Sequence, residues 1–138
     1  MKILVVEDNI SLGEHIVTTL SDEGHEVTLV KCLRDGVLAT IATAEEIDAI
    51  VTDVQLPIYS NSVAPTGSGL DIVRELARNH DAHPKPVYVH SSDTHDRGKD
   101  IVQWLAEAYP TAVFKKKTFE NAATVENVSS FISQLKID

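Results

Sequence analysis

The chain has 138 residues, of which 43% are hydrophobic, enough to bury a core and too many for intrinsic disorder. Twelve basic and 21 acidic residues leave a net charge of −9, which argues against nucleic acid as a partner because phosphate contacts need a basic face. No apolar run approaches the roughly 18 residues of a membrane span, and the single cysteine, Cys32, excludes an internal disulfide and fits a reducing cytoplasm.

The first apolar run, Lys2 to Glu7, reads as a strand and not as a signal peptide. The helix after it has Ser11 and Glu14 at capping-box spacing, Leu12, Ile16 and Leu20 on one face, and Gly24 as its C-terminal cap. A second strand covers Glu26 to Lys31, with Cys32 after it as a small semi-buried residue, and a helix runs from Leu33 to Thr43. The third strand is Ala49 to Asp53, followed by a long Pro-, Gly- and Ser-containing loop from Pro57 to Gly69. Next come a helix over Leu70 to Asn79 and a fourth strand, Pro86 to Ser91. A helix around Lys99 to Tyr109 carries Trp104 as a core or half-buried residue, the fifth strand lies near Thr111 to Lys115, and a last helix spans Glu120 to Leu135. Short β-branched runs alternating with amphipathic helices predict an α/β, doubly wound parallel sheet in one domain, residues 1–138.

Chemistry-bearing residues gather at the strand ends. Glu7 and Asp8 end the first strand, Asp53 the third, Ser91 and Ser92 the fourth, and Lys115, Lys116 and Lys117 the fifth. In an open α/β sheet these ends share one edge, where ligands bind. Three carboxylates crowded there need a hard divalent cation, Mg²⁺, among them. Such an ion offsets charge on a phosphoryl group while a hydroxyl and an ammonium bind its other oxygens, and a carboxylate can serve as nucleophile. His90 precedes Ser91 in its strand, so it points to the opposite side and is expected to be packed or hydrogen-bonded. The other five histidines show no metal-site spacing. Tyr59 is expected to be an exposed loop residue.

In combination, Met1-Lys-Ile-Leu-Val-Val-Glu-Asp-Asn9, Val51-Thr-Asp-Val-Gln-Leu-Pro57, Gly69-Leu-Asp-Ile-Val-Arg-Glu-Leu76, Pro86-Val-Tyr-Val-His-Ser-Ser92 and a Lys after the fifth strand resemble the receiver domain of two-component response regulators over nearly the whole chain. The resemblance implies a flavodoxin-like sheet of order 2-1-3-4-5 with five helices. It implies that Asp53 accepts a phosphoryl group from a sensor histidine kinase or histidine phosphotransfer protein, and that a downstream protein target reads the change. Asp8, Asp53 and the Gln55 carbonyl would ligate Mg²⁺, Glu7 would assist through water, and Ser91 would bind the phosphoryl group. The chain would be a cytoplasmic phosphoprotein of phosphorelay signalling and not a turnover enzyme, with no nucleic-acid or membrane contact.

The chain departs from the family pattern in three places. An insertion of about residues 57–68 lies beside the acceptor. The usual Lys-Pro is replaced by Lys115-Lys-Lys-Thr-Phe119, where keeping Val113 and Phe114 buried selects Lys116 and keeping the spacing to Phe119 selects Lys117. Lys116 is the assignment adopted, because a lysine forced into the buried strand is costly. The aromatic switch position then falls on Val113 under the first alignment and on Phe114 under the second. Two alternative readings are a receiver-like interaction module that is never phosphorylated and a Mg²⁺-dependent phosphohydrolase using an aspartyl phosphate. The latter usually needs an acid two residues after the nucleophile, where Gln55 stands.

Overall fold

The protein is described from a computed structural model covering residues 1–79 and 84–135. Five strands, β1 (Lys2–Val6), β2 (Glu26–Val30), β3 (Ala49–Asp53), β4 (Val87–Ser91) and β5 (Val113–Lys116), form one parallel sheet in the order β2-β1-β3-β4-β5. Five helices connect and cover it: α1 (Ile10–Asp22), α2 (Leu33–Ala42), α3 (Leu70–Asn79), α4 (Ile101–Ala108) and α5 (Asn121–Ser133). β3 and β4 are buried at every position, which is why they read as continuous apolar runs and not as alternating ones.

Strand alternation sorts the side chains into two cores. Ile3, Val5, Ala49, Val51 and Tyr88 pack under α1 and α5, against Leu12, Ile16, Val125 and Val128, with Val113 partly buried among them. Leu4, Val6, Ile50, Val87 and Val89 face the other way, against Ile72 and Val73 of α3 and Ile101 and Leu105 of α4, with Phe114 partly buried there. This parity, period two along each strand, decides which residues at the strand ends can meet.

Several boundaries differ from the sequence reading. The α1 cap is Asn9, whose side-chain oxygen accepts from the Leu12 amide at 3.0 Å, so Ser11 lies inside the helix. The expected helix from Lys99 begins only at Ile101, behind a small hairpin pairing His95–Asp96 with Lys99–Asp100. Arg97 and Gly98 turn it with φ of 52° and 78°, the double positive φ of a type I′ hairpin turn. Trp104 is half-buried against the α3–α4 core, with the Arg74 guanidinium 5.5 Å from its ring.

The long loop after β3 is gathered at its base. Gln55–Leu56 pair antiparallel with Gly67–Ser68, and the loop is tied on one side to α2 through Leu33 N to Pro57 O at 2.8 Å. On the other side it meets the small hairpin through Arg97 Nη2 to Thr66 O and Ser68 Oγ to Asp96 Oδ2, both 2.7 Å. Gly69 closes it: a Cβ there would stand 1.9 Å from the Asp53 carbonyl oxygen, so only glycine lets the chain pass beside the acidic residue. Tyr59 is exposed, as its loop position suggests.

Candidate functional site

Glu7, Asp53 and His90 lie on the sheet face that carries Val5, Val51 and Tyr88, the face covered by α1 and α5. Register places Asp53 beside His90, and Glu7 follows Val6, the partner of Thr52. All three side chains are buried. Lys117 enters the same space from just beyond β5, where its amide extends the ladder by donating to Ser91 O at 2.7 Å. Its Nζ lies 2.8 Å from Asp53 Oδ2 and 2.9 Å from Glu7 Oε1. His90 Nε2 lies 2.9 Å from that same Glu7 oxygen. The remaining acceptors are used as well: Glu7 Oε2 takes the Asn9 amide at 3.0 Å and Asp53 Oδ1 takes the Val54 amide at 2.8 Å.

The lysine that meets Asp53 and Glu7 is Lys117, and Lys116 does not reach them. β5 starts and ends later than the sequence suggested, and Lys116 pairs with Ser91 in register. Alternation sets Lys116 on the Phe114 side of the sheet, where it is exposed. Lys117 shares its side with Val113 and is only 15% exposed in its side chain. The fear of a lysine forced into the strand is met by the two carboxylates that pair with it. Of the sequence signals, the spacing to Phe119 pointed to this residue, although Phe119 itself is fully exposed.

Burial and the nearby Glu7 charge push the Asp53 carboxyl up to about 8, against the pull of Lys117. Burial works to raise Glu7 too, but its hydrogen bond and charge interaction with His90, then Lys117, hold it down at about 2. Burial pulls His90 below the ordinary histidine range, against its hydrogen bond to and charge interaction with Glu7. Burial opposes the Lys117 charge, yet Asp53 and Glu7 raise its pKa further. Asp8, half-buried beside these acids, is raised by burial and by Glu7. One ammonium against Glu7 and Asp53, with Asp8 beside them, leaves the pocket short of positive charge. An acidic pocket in that state suits a hard divalent cation.

Ser91 is buried on the opposite side of β4 from His90, as alternation requires. Its Oγ donates to Gln55 Oε1 at 2.6 Å and accepts from the Asp93 amide at 3.1 Å. Beside Lys117 a cleft of about 420 Å³ opens between Asn9, Ser92, Thr118 and Thr124. The Glu7–His90 contact was not foreseen, because it spans two strands separated by β3. The histidines His80 and His83 lie outside the described residues.

Two consequences are measurable by thermal or denaturant unfolding. Lys117→Met should cost about 3 kcal/mol by leaving buried carboxylates unpaired, whereas Lys116→Met should stay within about 0.5 kcal/mol. A folded Asp53 pKa above the unfolded one keeps its proton in the native state after the unfolded chain has lost it. Rising pH therefore costs stability between the ordinary carboxyl range and about 8. Asp53→Asn removes that penalty, so its stability advantage over the wild type should grow as pH rises from 5 to 8. The depressed Glu7 contributes the opposite slope only in acid, its stabilisation being lost as pH falls toward 2.

No protein-family model matches the sequence, and no curated protein matches it. Solved structures do. The receiver domain of RstA from Klebsiella pneumoniae aligns over 97% of this chain and all of its own, with a TM-score of 0.65 and 21% identity. The chemotaxis response regulator CheY4 of Vibrio cholerae aligns over 94% of this chain and 97% of its own, with a TM-score of 0.65 and 22% identity. A de novo designed Rossmann 2x3 protein aligns equally well, with a TM-score of 0.68 and 14% identity over 96% of this chain and 90% of its own. The designed protein has the architecture alone, so the likeness speaks to fold, and chemistry must be argued from the pocket. Over nearly its whole length the chain has the α/β fold seen in response-regulator receiver domains.

Proposed function

We propose that the protein is a phosphorylation-controlled signalling switch in which Asp53 accepts a phosphoryl group from a sensor histidine kinase or histidine phosphotransfer protein. The observation that carries this reading is the buried Asp53 carboxylate paired with Lys117 Nζ at 2.8 Å, beside Glu7 and Asp8 and at the sheet edge where such folds bind ligands. Asp8, Asp53 and the Gln55 carbonyl are the proposed Mg²⁺ ligands, with Glu7 acting through water. When bound, Mg²⁺ supplies positive charge that favours ionised Asp53 and offsets the phosphoryl oxygens.

The protein's own groups divide the remaining work. Val54 N–H holds Asp53 Oδ1, which orients the carboxylate, and the oxygen facing Lys117 is the nucleophile. That oxygen forms the new bond to phosphorus as the donor imidazole nitrogen leaves. Lys117 follows the charge from the carboxylate to the phosphoryl oxygens. Ser91 exchanges its bond to Gln55 for one to the phosphoryl group, freeing the Gln55 side chain at the base of the 57–68 loop. A protein target reads the resulting population shift. The surroundings of Gln55 support acceptance over turnover, since an amide bonded to Ser91 cannot act as general acid for hydrolysis. A reducing cytoplasm suits the buried Cys32.

Acetyl phosphate with Mg²⁺ should add one phosphate by intact mass, and Asp53→Asn should abolish it. Lys117→Arg should slow the modification by about 10²-fold, while Lys116→Arg should leave it unchanged. No modification under any phosphodonor would favour an inert interaction module, and rapid turnover of phosphate esters would favour a hydrolase.

A further inference from the structure

Isolated exposed apolar residues are ordinary on a protein surface, so their arrangement decides whether they carry meaning. Among the described residues eight large hydrophobics are exposed, and five of them, Leu38, Ile41, Ile58, Tyr59 and Val63, belong to α2 or to the loop tied to its first turn. The ties are backbone hydrogen bonds, Leu33 N to Pro57 O at 2.8 Å and Arg34 N to Ile58 O at 2.9 Å, so helix and loop form one continuous surface.

On α2 the exposed residues fall into a single stripe. Arg34, Leu38, Ile41 and Glu45 are all exposed, Leu38 at 51% and Ile41 at 57%. At about 100° per residue they span roughly 60° of the helix circumference, on the side away from buried Leu33, Gly36 and Thr40. Glu45 lies just past the end of α2, in a turn that keeps one i→i−4 bond, Ile47 N to Thr43 O at 3.0 Å. Steps of four, three and four residues are those of a coiled-coil seam.

The stripe is complementary to itself. Leu38 with Ile41, and Arg34 with Glu45, share one midpoint between Ala39 and Thr40. Two copies of α2 packed antiparallel about a two-fold axis there would set Leu38 against the partner's Ile41 at the centre and Arg34 against the partner's Glu45 at each end. That is the reciprocal pairing an isologous dimer requires, whereas parallel packing would set like charges against each other. Neither Arg34 nor Glu45 has an ion-pair partner among the described residues. Both also oppose the dipole of their own helix, a cation at its N-terminal end and an anion at its C-terminal end, and pairing across copies offsets that placement.

We propose that α2 is a homodimerisation surface, on which a second copy of this chain packs antiparallel along Arg34, Leu38, Ile41 and Glu45. A stable dimer buries about 800 Å² per copy, more than four side chains supply. Ile58 and Tyr59 of the adjoining loop complete the contact, and the association is weak, with a Kd of about 10–100 μM. The inference does not depend on the phosphorylation reading, because none of these residues belongs to the acid pocket.

The test is sedimentation equilibrium of the full chain from about 5 to 500 μM, over which the wild type should pass from monomer to dimer. Arg34→Glu and Glu45→Arg should each weaken the dimer by about tenfold or more, because like charges then face each other at both ends. Combining the two reversals should restore it to within about threefold of wild type, and Leu38→Gln should leave a monomer. Circular dichroism checks that each variant is folded, with Ile41→Gln standing in for Leu38→Gln if that one is not. A monomer at every concentration would overturn the inference and leave this face to a different partner. A dimer indifferent to Leu38 and to both charge reversals, or one that the combined reversal does not restore, would overturn it as well.

Discussion

Lys117 stands between Glu7 and Asp53 with 2.9 and 2.8 Å contacts, and the rest of the site depends on that bridge. Two buried carboxylates sharing a wall of the core would repel each other strongly, and one would keep its proton. A single ammonium moderates this without cancelling it. Glu7 stays ionised against Lys117 and His90, while Asp53 is pushed up to about 8. The pocket is thus held in a state that a divalent cation relieves, and the relief falls on the residue argued to be the nucleophile. Stability given up there is the usual cost of a preorganised reactive group.

The fold makes this arrangement with few special devices. Parallel strands ending at one edge deliver the acids, and pleat alternation assigns each neighbouring residue to its side. Glu7, Asp53, His90 and Lys117 meet under α1 and α5, whereas Ser91 and Lys116 lie toward α4. Gly69 lets the returning chain touch the Asp53 carbonyl, so the loop base is built against the strand that carries Asp53. Through Ser91–Gln55 and Ser68–Asp96 the β4 end, the loop base and the small hairpin form one connected polar surface.

Much of this was legible from the residues. The buried runs of β1, β3 and β4 and the amphipathic faces of α1, α3 and α5 follow from hydrophobic period, which is why the parallel sheet was accessible, whereas its strand order came from the family resemblance. What escaped depends on tertiary geometry. Three consecutive lysines are chemically equivalent in a sequence; the spacing to Phe119 favoured Lys117 and the burial of Val113 and Phe114 favoured Lys116, and the β4–β5 register decides which one enters the pocket. Asn9 displaces Ser11 as the helix cap because β1 ends at Val6 and α1 already begins at Ile10. The Arg97–Gly98 turn depends on a non-glycine residue taking positive φ. The Glu7–His90 contact joins residues 83 apart in sequence, across an intervening strand, and no local pattern announces it.

The most direct measurement is the titration of the Asp53 carboxyl carbon by NMR, with and without Mg²⁺. In the ion-free protein it should titrate near 8, and saturating Mg²⁺ should bring it well below neutrality because the ion favours the carboxylate. A carboxyl that titrates in the ordinary acidic range and ignores Mg²⁺ would contradict the account.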